Sequence, residues 1–131
     1  MSYLKVPAKL AAFCEELNKR RQAINASDIT SVYDLSFWAH FELVSIHPLA
    51  DGNGRTCRLL MNLLQWEFGV LPTKVLKEDK AEYIQALIDA REQEDINIFL
   101  DCMLAIIANI WHLTLTNTPK QQWKKWSIRM T

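Results

Sequence analysis

The sequence predicts an all-α protein, a compact bundle of helices in one domain. Along most of the 131 residues, apolar side chains recur every three or four positions, which is the period of amphipathic helices. No stretch shows the strict alternation of apolar and polar residues that is typical of half-buried strands. Half of the residues are apolar, so the chain can bury a core without disulfides or metals.

Two helices are predicted before the first candidate site. Helix-spaced apolar residues run from residue 6 to about residue 24. Residues 25–28 carry Asn, Ser and Asp, which are typical helix caps, and they introduce a second helix over residues 29–46. Because Pro48 disfavours a helical backbone at His47, we expect this helix to end there and to present the histidine at the mouth of a loop.

Three further helices are predicted in the second half of the chain. Residues 54–68 are apolar nearly all round, which indicates the central helix of a bundle, and Gly69 stands where such a helix ends. A more exposed helix follows over residues 77–91. Asp95 caps the last one, an apolar helix over residues 96–115.

We therefore divide the chain into a helical core, residues 1–115, and a C-terminal tail, residues 116–131. Pro119 and its polar neighbours end the last helix. Trp123 and Trp126 are three positions apart and predict either a short helix that packs on the core or an interaction segment, for example in a homodimer. Of these two, packing on the core is preferred.

Charge and composition argue against several classes of function. Fifteen basic and fifteen acidic residues cancel, whereas nucleic-acid and membrane-surface binders need a basic excess. The three cysteines, Cys14, Cys57 and Cys102, are too few and too scattered for a disulfide framework or a zinc site. The N-terminus lacks a secretory apolar run, and no apolar stretch is long enough to span a membrane. We expect a soluble cytoplasmic protein that binds neither nucleic acid nor membranes.

Most of the chemistry is concentrated in residues 46–62, which read IHPLADGNGRTCRLLMN and contain two of the three glycines. Gly52, Asn53 and Gly54 can form a tight loop whose N–H groups point at one place. A helix N-terminus follows directly and adds partial positive charge. Arg55 and Arg58 are three positions apart, so both can reach the same phosphate chain. The stretch predicts an anion site.

A nucleoside triphosphate site would use the remaining polar residues of this loop. Asp51 is its only carboxylate and suits Mg²⁺, which takes one or two carboxylates together with substrate phosphates. Asn53 and the loop amides can stabilise charge on an attacked phosphoryl group. His47 can act as a general base toward an incoming hydroxyl, because histidine titrates near neutral pH.

Purely structural interpretations of the same residues exist. A His-Pro pair often just ends a helix, Asp-Gly is a common turn, and Arg55 and Arg58 could pair with Glu42 or Glu67. These interpretations are independent of one another, whereas one phosphate-transfer site explains all the residues together. We therefore favour the site.

For the other two histidines we favour a structural role over a catalytic one. His40 and His112 each lie among apolar residues of a predicted helix, so we expect them to pack in the core. His40, two turns before the loop, could also brace it.

The loop closely resembles the H-P-F-x-[D/E]-G-N-G-R-x-x-R motif of Fic-domain proteins. Residues 47–58 of this chain read HPLADGNGRTCR, and the flanking residues are similar too, including Ala39-His40-Phe41 before the loop and Glu82-Tyr83 after it. The resemblance covers about residues 6–115. It implies a Fic-like helical fold around the helix that follows the loop.

Most Fic proteins transfer AMP from ATP to a hydroxyl of a target protein, which implies ATP and Mg²⁺ as cofactors and a Ser, Thr or Tyr side chain as acceptor. The resemblance also implies a role for each loop residue: His47 as base, Asp51 as Mg²⁺ ligand, Asn53 with the Gly52 and Gly54 amides as the α-phosphate anion hole, and Arg55 and Arg58 as partners of the β- and γ-phosphates. Gly54 favours AMP transfer, since the phosphorylating Doc relatives have lysine there. Phosphocholine-transferring relatives have alanine in place of Gly52.

Some features depart from the family pattern. Leu49 replaces a phenylalanine, and Cys57 stands where glycine is common. The β-hairpin flap that usually aligns the target is not found before residue 6, nor is an inhibitory S/T-x-x-x-E-G/N helix found. These departures predict a partial chain, inhibition by a separate protein, or a core that no longer docks targets.

Three functions remain open from the sequence. The first is an active protein adenylyltransferase, and the second is a nucleotide-binding regulatory or degenerate module without transferase activity. A helical bundle with a purely structural role is the third.

Overall fold

The computed structural model describes the backbone of residues 3–116 and the side chains of residues 4–110, and nearly all of this part is helical. The five α-helices are α1 Val6–Ala23, α2 Ile29–Ile46, α3 Asn53–Glu67, α4 Lys80–Glu92 and α5 Ile96–Thr116. Short 3₁₀ turns, Tyr3–Lys5 and Lys77–Asp79, precede α1 and α4. Residues 3–116 contain no strand. The all-α prediction is confirmed.

Helix α4 begins at Lys80, three residues later than predicted, because residues 77–79 form a 3₁₀ turn. The other helix ends lie within one residue of the predicted ones, and the capping side chains act as expected. Asp28 Oδ1 accepts a hydrogen bond from the Ser31 N–H and starts α2, and Asp95 Oδ1 accepts one from the Asn97 N–H at the start of α5. Gly69, with φ of 74°, follows the last turn of α3 in the left-handed conformation that glycine adopts without strain.

Helix α2 contributes to two apolar clusters and has the most buried residues of the described helices. One cluster joins α2 and α3 to α4 and α5 through residues that include Phe37, Met61, Tyr83 and Phe99. The other joins α1, α2 and α3 through Phe13, Ala39, Leu43, Ile46, Cys57 and Leu64. Nine residues of α2 are buried, compared with five of α3.

Helix α3 also contributes to both clusters, but only one of its faces is buried. Its buried face carries Cys57, Met61 and Leu64 and packs mainly on α2. On the opposite face Leu59, Leu63 and Trp66 are 60%, 50% and 77% exposed. An apolar side chain is compatible with either face, so the apolar pattern alone did not show that one face of α3 stays open.

A buried polar cluster fixes the segment that follows α3. Gln65 Nε2 donates to the hydroxyl oxygens of Ser36 and Thr73, each at 3.0 Å, and Gln65 Oε1 accepts the Thr73 N–H at 2.6 Å. The Tyr33 hydroxyl donates to the Leu71 carbonyl at 2.7 Å. These bonds connect α2, the C-terminal end of α3 and the following segment, so that end of α3 has a rigid support.

Several predictions lie outside the described residues. They include the tail of residues 117–131 with Trp123 and Trp126, and the side chain of His112. The division into core and tail therefore stays a prediction. Within the described part of the chain, none of the helices has the length and apolar character needed to cross a membrane.

Candidate active site

His47 lies at the junction of α2 and the loop, as predicted. Its backbone is left-handed, with φ of 55° and ψ of 58°, and its N–H donates to the Leu43 carbonyl and closes the last turn of α2. Pro48 disfavours a right-handed helical backbone at the preceding residue, which is consistent with α2 ending here. The side chain is exposed, so a second molecule can reach the imidazole.

Asn53 holds both the loop and the His47 imidazole. Its Oδ1 accepts the Leu49 N–H at 2.9 Å, and its Nδ2 donates to the Leu49 carbonyl at 2.7 Å. These backbone partners have fixed roles, so they determine which end of the amide is nitrogen. The second Nδ2 hydrogen faces His47 Nε2 at 3.2 Å. Nε2 must then accept, which places the proton of the neutral ring on Nδ1 and leaves a lone pair on Nε2.

The N-terminus of α3 offers unpaired amides next to this imidazole. Gly52 is the N-cap in a left-handed conformation, with φ of 78°, and its carbonyl accepts from both the N–H and the hydroxyl of Thr56 at 3.0 Å. No side chain caps the helix. The N–H groups of Asn53, Gly54 and Arg55 come first in α3 and thus have no partner within it. They form a concentrated partial positive charge.

The Gly52 amide has a partner within the loop, because it donates to Asp51 Oδ1 at 2.8 Å. The amides without a partner in the helix are those of residues 53–55. The role predicted for Gly52 at the phosphate stays a prediction.

Asp51 and Arg55 form the exposed side of the site. The Asp51 carboxylate is 97% exposed, and its Oδ2 lies 3.9 Å from Arg55 Nη2. The alternative that Glu67 binds one of the loop arginines is excluded, because Glu67 pairs with Arg21 of α1. Among the described residues, no three or more His, Cys, Asp or Glu side chains converge on a metal site. Asp51 could thus give a metal ion one protein carboxylate, with phosphates completing the shell.

Arg58 lies on the inner side of the site and is partly buried. Its Nη1 lies 3.1 Å from the position a Cβ would occupy on Gly54, so the guanidinium folds back over the start of α3. Burial raises the pKa of the Tyr83 hydroxyl, and a hydrogen bond from Arg58 opposes that rise. Tyr83 Oη in turn lies 2.7 Å from His40 Nε2. The sequence predicted that His40 packs in the core or braces the loop, and the structure adds its hydrogen bond to Tyr83.

A model of the Fic/DOC family matches residues 1–65, a range that contains α1, α2, the whole loop and most of α3. The chain belongs to the Fic/DOC family. The recognition made from the loop motif is confirmed.

Curated Fic relatives are similar over the same part of this chain. The protein adenylyltransferase Fic of Drosophila persimilis is 39% identical over 71 residues, which cover 53% of this chain and 14% of the relative. That of Nematostella vectensis is 37% identical over 92 residues, which cover 66% of this chain and 21% of the relative. The chain thus spans about a fifth or less of these relatives.

This Fic/DOC chain brings all seven predicted site residues to one end of the α2–α3 pair. His47 and Asn53 are directly bonded, Asp51 and Arg55 face each other, and Gly54 and Arg58 are in contact range. Asn53 has a larger structural role than predicted. Both hydrogens of its side-chain amide are used within the loop, so its backbone N–H is the group left for an anion.

Proposed function

We propose that this chain is the core of a Fic-type protein adenylyltransferase, which transfers AMP from ATP to a hydroxyl of a target protein and releases pyrophosphate. The family and the adenylyltransferase names of the relatives support this class of enzyme. The geometry of the loop supports the chemistry.

The observation that carries the proposal is the bond between Asn53 Nδ2 and His47 Nε2. It leaves an acceptor nitrogen on an exposed imidazole directly beside the free amides of α3. An unprotonated nitrogen is what a general base needs. At 3.2 Å the bond is at the long end of the normal range, so an incoming hydroxyl can replace Asn53 as the donor to Nε2.

The reaction follows from this arrangement. The target hydroxyl donates its proton to His47 Nε2 while its oxygen forms a bond to the α-phosphorus of ATP. The bond from that phosphorus to the bridging oxygen breaks, and pyrophosphate leaves with the electron pair. The amides of Asn53, Gly54 and Arg55 stabilise the negative charge that develops on the α-phosphate oxygens.

The two arginines and Asp51 bind the rest of the nucleotide. The guanidinium groups of Arg55 and Arg58 donate to the β- and γ-phosphates, for which their planar forks are suited. The Gly52 N–H donates to Asp51 Oδ1, and the exposed carboxylate presents Oδ2 outward, so Asp51 fits as a ligand of Mg²⁺. The bound ion supplies charge neutralisation to the phosphates and to the leaving pyrophosphate.

The decisive experiment compares ATP labelled at the α-phosphate with ATP labelled at the γ-phosphate. Each is incubated with Mg²⁺, this chain and a cytosolic extract as the source of hydroxyl-bearing proteins, and covalent label is read on the chain and on the extract. AMP transfer incorporates α-label and no γ-label, and His47→Ala abolishes it. Asn62→Ala is the matched control, because Asn62 lies on α3 beyond the site and its Oδ1 has no hydrogen-bond partner.

Other results would have distinct meanings. Incorporation of γ-label would indicate a kinase, and incorporation that persists in His47→Ala would refute the proposed base. No label, with ATP binding still measured by calorimetry, would favour the nucleotide-binding module without transferase activity. No ATP binding at all would contradict both functions.

A further inference from the structure

The outer face of α3 is an apolar surface that the side chains of residues 4–110 leave open. Leu59, Leu63 and Trp66 are four and three positions apart, so they form one stripe along the helix, and each is at least half exposed. Single exposed leucines are common on protein surfaces, whereas a continuous apolar stripe that includes a tryptophan marks an interaction site. The remaining question is which segment packs on it.

Helix α5 runs antiparallel to α2. Ile96, the first residue of α5, lines a cavity of about 610 Å³ together with Ser45 near the end of α2. Leu100, one turn later, lines a cavity of about 400 Å³ together with Ser31 near the start of α2. Helix α5 continues in this direction to Thr116. Its last residue therefore lies at the end of the bundle where α2 begins.

The C-terminal end of α3 lies at the same end of the bundle. A short loop joins the end of α2 to the start of α3, and near the end of α3 the Gln65 amide donates to the Ser36 hydroxyl in the first half of α2. Helix α3 is thus antiparallel to α2 as well. Residues 117–131, which follow α5 directly, begin at the end of the bundle where Trp66 lies.

The sequence of residues 117–131 matches the outer face of α3 in its spacing. Trp126 and Met130 follow Trp123 by three and seven positions, which places the three side chains on one side of a helix. Counted backwards from Trp66, the exposed apolar residues of α3 have the same separations, three and seven. The basic residues of the segment lie off this side, so their charges can stay in water: Lys120, Lys124, Lys125 and Arg129.

We propose that residues 117–131 pack as a helix on the outer face of α3 in the same chain, antiparallel to α3. The matching separations give three pairs: Trp123 with Trp66, Trp126 with Leu63, and Met130 with Leu59. The seven residues from Thr116 to Trp123 span about 24 Å when extended, more than the roughly 10–12 Å width of a helix, so the segment can reach this face. This inference does not rest on the proposed function.

The first test is a double-mutant cycle in urea, with Leu63→Ala, Trp126→Ala and the chain that carries both changes. Each single change should lower the urea midpoint of unfolding. The double change should lower it by less than the sum of the two, because both side chains take part in one contact. Effects of Leu63→Ala and Trp126→Ala that simply add would overturn the proposal.

Ile128→Ala is the matched control in the tail. Ile128 is two positions from Trp126 and lies on the opposite side of such a helix, away from α3. Its effect on the urea midpoint should therefore add to that of Leu63→Ala. Coupling of Leu63 to Ile128 as strong as its coupling to Trp126 would contradict the proposed pairing.

A second test shows which molecule covers the face. Nuclear Overhauser contacts between the Leu63 methyl groups and the Trp126 indole are recorded in labelled protein and in a mixture of labelled and unlabelled chains. We expect contacts within one chain and none between chains. Contacts between labelled and unlabelled chains would mean that a second copy covers the face, and this would overturn the proposal. Absence of the contact in both samples would overturn it too and would leave the face to a different protein.

Neither test uses a nucleotide, so each outcome is independent of AMP transfer. Coupled Leu63 and Trp126 in a protein that fails to bind ATP would uphold the packing of the tail while the proposed function fails. Active AMP transfer with no coupling would do the opposite.

Discussion

At the scale of single residues, Asn53 connects loop shape to chemistry. One side chain closes the loop on both backbone groups of Leu49 and directs its remaining hydrogen at His47 Nε2. Because the amide is buried and every one of its groups has a partner, it has little freedom to turn. The position of the loop and the tautomer of the proposed base are therefore set together.

Replacing Asn53 by alanine is expected to lower the rate of AMP transfer at saturating ATP by about ten- to a hundredfold, because misplacing a general base costs rates of this order. Single-turnover transfer of α-label measures the effect. Asn62→Ala should keep the wild-type rate. A wild-type rate in Asn53→Ala would show that His47 needs no support from Asn53.

His40 predicts how stability depends on pH. Its pKa falls from 6.5 to about 4 on folding because burial disfavours the charged ring. The unfolded chain therefore binds more protons between these values, so this residue makes stability fall as the pH drops from 6.5 to 4. The shift corresponds to about 3 kcal/mol when fully developed.

Urea unfolding of wild type and His40→Gln at pH 7 and pH 4 checks this expectation. Glutamine does not titrate, so the loss of stability between the two pH values should be smaller in the variant by about 2–3 kcal/mol. Other acidic and basic groups titrate equally in both proteins and cancel in the comparison. If wild type and His40→Gln lost the same free energy of unfolding between pH 7 and pH 4, the pKa of His40 would be the same in the folded and the unfolded chain.

At the scale of elements, the N-terminus of α3 depends on glycine for space. A Cβ on Gly54 would lie 3.1 Å from Arg58 Nη1, although the backbone of Gly54 is ordinary helix. Glycine is unfavourable within a helix by about 0.5–1 kcal/mol compared with alanine. Gly54 therefore makes the helix less stable than alanine would, but it leaves space for the Arg58 guanidinium.

Gly54→Ala is expected to weaken Mg²⁺–ATP binding while the free energy of unfolding stays the same or rises by up to about 1 kcal/mol. Calorimetry and urea unfolding measure the two quantities. Gly69→Ala should leave Mg²⁺–ATP binding unchanged and lower the free energy of unfolding. Gly69 has φ of 74° and open space around it, so alanine strains only the backbone at the end of α3. Unchanged ATP affinity in Gly54→Ala would show that Arg58 can move without consequence.

The sequence predicted the helices and their ends better than it predicted which helix faces are buried and which side chains meet. Helix ends depend on local features such as Asp28, Pro48 and Gly69, and these act the same way in any fold. The open face of α3 could not be read from Leu63 or Trp66, since exposure depends on which helices pack nearby. The hydrogen bond between His40 and Tyr83 was also missed, because the two residues are 43 positions apart and meet only in the folded chain.

At the scale of the whole molecule, a cluster of buried, hydrogen-bonded polar side chains holds the helix that carries the site. Gln65 is completely buried, and its amide connects Ser36 of α2 to Thr73 in the segment after α3. Groups buried in this way stabilise only while all partners are present. This cluster fixes the far end of α3, whose near end carries the site.

Gln65→Leu is expected to lower the free energy of unfolding by about 2–3 kcal/mol, because it leaves the Thr73 N–H and two hydroxyls without their partner. Urea unfolding measures the loss. Gln85→Leu provides the control, since Gln85 is exposed on α4 and its amide bonds only to Asp89. A loss in Gln65→Leu no larger than the control's would mean that water replaces the buried bonds.

One atom, His47 Nε2, links the fold to the proposed reaction, and nitrogen-15 NMR of the imidazole in wild-type protein and in Asn53→Ala tests it most directly. We expect the neutral wild-type ring to carry its proton on Nδ1, with Nε2 free, and Asn53→Ala to populate the other tautomer. A wild-type ring protonated on Nε2 would contradict the proposal that the loop presents His47 as a base to the target hydroxyl.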